Sequence, residues 1–170
     1  LEAGCAVHHP EAMEAVLLEA TQTPRKYGFH GTIKPPFHLA NDATYEDLLY
    51  QAQAFCATSA PVEIDSFKVR PLGTFLALTP EGNITPLATL AAAVLQNLDP
   101  FRAPPSESEL ARRRKENLTP LEETNLKNWG YPYVLDAFKF HMTLSGPLAP
   151  KELKTLEILA QNHFAPILTR

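Results

Sequence analysis

The sequence predicts an α+β protein, with helices and strands following one another irregularly around an explicit β-hairpin. Three observations carry that prediction. Apolar residues recur at helical spacing in several separated stretches. Two β-rich runs, Val62–Val69 and Thr74–Leu78, flank the turn Pro71-Leu72-Gly73. Strands and helices do not alternate regularly, so a mainly antiparallel sheet is favoured over a doubly wound parallel one.

In order along the chain, Met13, Val16, Leu17 and Ala20 mark a short helix within residues 10–20, stopped by Thr23-Pro24. Tyr27 to Phe37 reads as extended. Thr44 is a helix N-cap, with Glu46 and Asp47 in the first turn where the helix dipole favours acids, and Leu48, Leu49, Ala52 and Phe55 on the inward face. Pro61 closes this helix before the hairpin, and an Ala- and Leu-rich helix follows from about Pro86 to Leu98. Residues 99–132 form a helical insertion: the proline-rich run from Asp99 to Pro105 is followed by two capping-box patterns, Ser106 with Glu109 and Thr119 with Glu122. Gly130 and Pro132 stop the second of these helices. Ala137 to Ser145 is a strand, and Lys151 to His163 a last helix.

Composition narrows the class. A chain of 170 residues with 45% hydrophobic and 20% charged residues fits one domain, or two small lobes sharing a core. The formal net charge of −4 argues against duplex nucleic acid as a partner, although local donors can still hold a small anion. Cys5 and Cys56 give neither a disulfide framework nor zinc spacing. No apolar run approaches a membrane span and no leader is recognisable, so a cytoplasmic protein is expected. The start at Leu1 without Met points to a processed or partial chain. Oligomeric state is not legible.

The chemistry concentrates in two His-x-Thr motifs, His30-Gly31-Thr32 and His141-Met142-Thr143. On an extended backbone Gly28, His30, Thr32 and Lys34 share one face, and Lys139, His141, Thr143 and Ser145 share another. Their opposite faces are apolar. The spacing alone is a weak signal; the matched strand context, with Phe29 and Phe140 immediately before each histidine, strengthens it. Imidazoles as a class titrate near neutral pH, so one can accept a proton while the other donates. Hydroxyls at the second position onward reach phosphoryl oxygens, and a cation such as Lys34 offsets their charge. No metal or other cofactor is required. A metal centre of His30, His38 and His141 fits poorly, because His38 follows Pro35-Pro36 and falls outside the alternation. Other roles stay open. Tyr27 and Tyr133 could stack on a base or sugar, or simply pack; Lys34 contacts substrate or is a solvated charge. Arg102, in its proline-rich loop, is an anion clamp or half of an ion pair, and the run Arg112 to Lys115 is a solvated helix face or a contact for a phosphorylated ligand. His8, His9, His38 and His163 read as structural or exposed, and Trp129 as core.

The paired motifs resemble the signature of the 2H phosphoesterase superfamily. Tyr27 to Phe37 is similar to the first signature of a bacterial branch encoded with phosphonate-utilisation genes. The stretches Asp99 to Pro104, Trp129 to Val134 and Phe138 to Leu144 continue that likeness in order. The resemblance implies a bilobal fold, one domain over residues 1–170, with two mainly antiparallel sheet-and-helix lobes around a concave cleft. Terminal strands of the full family fold are missing from it. It also implies His30 and His141 as acid/base pair and Thr32 and Thr143 as phosphate ligands, with Tyr27, Lys34, Arg102 and Tyr133 on the substrate. The function expected from it is a metal-independent hydrolase of cyclic phosphodiesters or related phosphate esters in phosphonate metabolism. The alternative is a non-catalytic phosphate-ester or nucleotide binding module with the same cleft.

Overall fold

The computed structural model describes residues 14–114 and 117–168. Met13, His8, His9, Cys5 and Lys115 lie outside the described residues. In chain order the elements are α1 (Glu14–Ala20), α2 (Tyr45–Thr58), β1 (Ser66–Leu72), β2 (Phe75–Glu81), α3 (Thr85–Leu98), α4 (Glu107–Arg114), α5 (Pro120–Trp129), β3 (Met142–Thr143) and α6 (Pro150–Leu168). Among the described residues this is a mixed fold of six helices and a small antiparallel sheet of order β1-β2-β3, as the sequence predicts at that level.

The described residues sort into two compact units. The first comprises those up to Gly31, Phe67–Thr79, and those from His141 onward; the second comprises Thr32–Ser66 and Pro80–Phe140.

The first unit is built on the hairpin. Gly73, at φ 63°, supplies the left-handed residue that reverses the chain between β1 and β2. Leu76 of β2 clusters with Ala20 of α1 and Leu156 of α6, and Leu17, Leu144, Leu148, Leu153 and Leu159 close around them. Each fully buried leucine of this kind contributes about 1.5–3 kcal/mol. Polar groups at the seam are matched: buried Ser145 accepts from the Leu76 amide at 3.0 Å and donates to the Gly146 carbonyl at 2.8 Å. Gln161 of α6 donates to the Val69 carbonyl of β1 at 3.2 Å.

In the second unit α3 buries Leu87, Ala91 and Leu95, spaced four apart along one stripe. Both capping boxes form. The Glu122 amide donates to Thr119 Oγ1 at 3.3 Å and the Thr119 amide to Glu122 Oε2 at 2.7 Å; Ser106 and Glu109 exchange the same pair at 3.2 and 2.8 Å. Gly130 ends α5 in the left-handed conformation, φ 71°. Buried Asn125 then donates to the carbonyls of Pro132 and Val134 at 3.2 and 3.0 Å, fixing the chain as it leaves the helix. The proline-rich run is pinned by a bridge between Leu39 and Arg102, with backbone bonds from Ala40 to Phe101 and from Ala103 to His38.

Several expected elements differ. Tyr27–Phe37 is not a continuous strand: pairing is confined to a single bridge at Gly31, and the chain bends at Ile33 and Lys34 before Pro35-Pro36. The strand expected over 137–145 shrinks to Met142–Thr143, preceded by a 3-10 turn at Leu135–Ala137. The first hairpin strand starts at Ser66 rather than Val62. The face expected for α2 is only half-buried at Leu48, Ala52 and Phe55, and Leu49 is exposed.

Candidate functional site

The two histidine motifs meet at a bridge whose two residues both belong to the first unit. Gly31 and Met142 form an antiparallel bridge, and on its other side Met142 pairs with Leu78 and Thr143 with Ala77. Carried one residue past the bridge, the antiparallel register would pair His30 with Thr143, and His141 immediately precedes Met142. On an extended backbone, alternation puts His30, His141 and Thr143 on the face opposite Met142. The ring of His141 lies 5.7 Å from that of Phe75 of β2.

His30 is exposed and its ring meets Tyr27 edge-on at 5.3 Å. Its Nδ1 is 3.2 Å from the Gly28 carbonyl oxygen. A carbonyl only accepts, so this bond is made when Nδ1 carries the proton, which leaves Nε2 of a neutral ring as the acceptor. Gly28 reaches that position at φ 75°, a conformation that favours glycine. A polar face with an imidazole acceptor, a second imidazole and a hydroxyl can exchange protons with, and donate to, phosphoryl oxygens.

The remaining predicted site residues lie in the second unit. Thr32 is its first residue, immediately after the bridge. Lys34, expected on the face of His30, has turned away at the bend: its side chain is 7% exposed, its Nζ donates to the Leu95 carbonyl at 3.3 Å and lies 3.6 Å from Asp99 Oδ1. It also sits 4.9 Å from the centre of the Phe37 ring. Burial lowers its pKa below the usual lysine value, and the positive Arg102 adds to that effect while Asp99 opposes it. Arg102 grips Asp99 with both edges, Nε to Oδ1 at 2.7 Å and Nη2 to Oδ2 at 3.1 Å, and Nη2 also donates to the Asn128 carbonyl at 3.0 Å. Tyr133 stacks edge-on against Tyr131 at 5.7 Å.

In the basic run, Arg113 lies 4.3 Å over the Tyr131 ring and Arg114 pairs with Glu123 at 3.0 Å. Lys34, Arg102, Arg113, Phe37, Trp129 and Tyr131 line a groove in this unit, so Trp129 is half-buried at a surface rather than in the core. His38 is exposed, with Nε2 3.7 Å from Glu109. Among the described residues no group of three or more His, Cys, Asp and Glu side chains is arranged to hold a metal ion, and no helix is long and apolar enough to cross a membrane.

Two residues of consequence escaped the sequence reading. Phe75 was legible in principle, because its place two before Ala77 puts it on that face of β2. Asp99 was legible as the acidic residue three before Arg102, a spacing at which opposite charges meet on a helical turn.

Residues 32–170 match a family model described as "Protein of unknown function (DUF1045)". The chain belongs to the DUF1045 family. Among curated proteins, this DUF1045 chain is 38% identical over 162 residues to a ribose 1,5-bisphosphate phosphokinase PhnN of Janthinobacterium sp. (strain Marseille), covering 94% of the chain and 36% of that protein. It is 29% identical over 163 residues to a protein of the same name from Laribacter hongkongensis (strain HLHK9), covering 91% of the chain and 36% of that relative. The DUF1045 chain therefore spans about a third of the length of these relatives. No solved structure matches significantly.

The relatives' name corrects the expectation of a hydrolase. They are named as phosphokinases, which are transferases, and not as phosphodiesterases or other esterases. The physical reason is that imidazoles and hydroxyls set around phosphoryl oxygens serve transfer and hydrolysis alike. What separates the two is the acceptor, a substrate oxygen or water, and the His-x-Thr residues do not encode it.

Proposed function

We propose that this chain holds a phosphorylated small molecule of the ribose-phosphate class against His30, His141 and Thr143, and contributes that site to phosphoryl transfer in a longer protein. The observation that carries the reading is the Gly31–Met142 bridge, which joins the two motifs across a long stretch of intervening chain. His30 Nε2 takes the proton or hydrogen bond of an acceptor oxygen, Thr143 donates to a non-bridging phosphoryl oxygen, and His141 donates as well. Tyr27 holds the His30 ring edge-on. In the same reading the 2H-like likeness reflects shared handling of phosphoryl oxygens, residues 1–170 form one bilobal domain, and residues 99–132 are its helical insertion. The relatives' name supports a phosphorylated sugar as ligand and is consistent with a role in phosphonate metabolism.

Calorimetric titration with ribose 1,5-bisphosphate tests this. Wild type should bind, and His30→Ala and His141→Ala should each weaken binding by about tenfold or more, the worth of one charge-assisted hydrogen bond. Circular dichroism should show both variants folded. Binding that is absent in wild type, or unchanged in both variants, rejects the proposal.

A further inference from the structure

The groove of the second unit holds an electrostatic imbalance that the histidine site does not use. Asp99 is the shared carboxylate of two largely buried cations, Lys34 at 7% and Arg102 at 12% side-chain exposure. One carboxylate balances one of them, so the cluster carries an excess positive charge in a partly desolvated setting, which is costly without a counter-charge. Both cations line the groove, as does Arg113. The acidic side of that lining is Glu109, whose carboxylate is already engaged by the Ser106 amide and hydroxyl at 2.8 and 3.0 Å, with exposed His38 beside it. The rest of the wall is flat and unsaturated: Trp129, Tyr131 and Phe37, with prolines between. The cations and aromatic faces of the groove adjoin one another, with Lys34 over Phe37 and Arg113 over Tyr131, which suits a ligand with an anionic group joined to a planar ring.

The geometry points to a binding site for a nucleoside phosphate in this groove, with the phosphate against Lys34, Arg102 and Arg113 and the base against Trp129 and Tyr131. The site is independent of the His30–His141 group and stands or falls separately from the function proposed for it. An incoming phosphate restores the missing negative charge beside Lys34 and Arg102 while Asp99 keeps its place. Arg113, already over Tyr131, supplies a third cation and one face for stacking.

Trp129 is the one tryptophan of the chain, so its fluorescence reports on this groove directly. Titration of the full chain with adenosine monophosphate should give a saturable change in Trp129 emission. Adenosine alone and ribose 5-phosphate alone should each bind about tenfold more weakly, since each lacks one half of the recognition. Arg113→Gln should weaken adenosine monophosphate about fivefold or more, and Lys34→Met should weaken both it and inorganic phosphate. His30→Ala should leave the titration unchanged. No saturable change with adenosine monophosphate overturns the proposal. So does wild-type affinity in both folded Arg113→Gln and folded Lys34→Met, or equal loss in His30→Ala. Ribose 5-phosphate binding as tightly as the nucleotide removes the base from the proposal and overturns it as stated.

Discussion

The histidine group of the first unit and the Lys34–Asp99–Arg102 group of the second draw on the same kinds of residue, yet the chain treats them in opposite ways. His30 stands exposed, steered by one bond to a carbonyl two residues earlier and by the edge of Tyr27. Lys34 and Arg102 are sunk beside α3 and α5, and Arg102 spends its guanidinium on both oxygens of Asp99 and on the Asn128 carbonyl. The contrast teaches that a polar residue in a motif is judged by its remaining hydrogen-bond capacity. A side chain with an outward acceptor can exchange a proton with a ligand, whereas a saturated one holds the fold and offers a ligand only its charge.

Three substitutions test how deep that contrast runs. The largest effect is expected at Asp99. Asp99→Asn leaves two buried cations facing one another without their carboxylate, and urea unfolding should show a loss of about 3–5 kcal/mol. A loss below about 1 kcal/mol would show that the cluster is solvated and make it resemble the histidine group.

Lys34 should show itself through pH. Its folded pKa lies below the unfolded value because burial disfavours the charged form. The unfolded chain therefore binds more protons between the two values, and stability contributed through this residue rises with pH across that window, which ends near 10.5, the ordinary value for lysine. Unfolding followed from neutral to alkaline pH should show that rise in wild type, and Lys34→Met should flatten it. An unchanged slope would place the desolvation elsewhere.

The smallest effect belongs to His30. His30→Ala removes an exposed ring, and thermal unfolding should shift by no more than the equivalent of about 0.5 kcal/mol. A large destabilisation would mean that the Tyr27 edge contact and the Gly28 bond organise the first unit, and the comparison would collapse from the other side.

What the sequence made legible follows the range of the interactions involved. The capping boxes at Ser106 and Thr119 and the glycine stop at Gly130 depend on residues three or four positions apart, and they formed as read. The hairpin was equally local, although its turn is Gly73-Thr74 and the expected turn residues Pro71 and Leu72 stay in β1. The histidine strands were only partly readable, because strand length depends on partners far along the chain, and the alternation argument assumes an extended backbone that the bend at Ile33 and Lys34 interrupts. That bend carries Lys34 away from the alternation and beside Asp99, a destination set by tertiary packing. The motif pairing was legible as chemistry for phosphoryl oxygens, and the acceptor was not, since no residue in either motif specifies water over a substrate oxygen.

The bridge between Gly31 and Met142 also sets a schedule. Its two sides are separated by most of the chain, whereas β1 and β2 need only a two-residue turn to find each other. Loop-closure entropy makes the hairpin quick and the bridge slow. During synthesis from the N-terminus, His30 emerges early and waits while the whole second unit is made. Until Met142 and Thr143 arrive, the first motif has no opposite side. The bridge that joins the motifs is therefore completed only after the second unit has been made, and a molecule that stalls short of that step carries a formed hairpin without it.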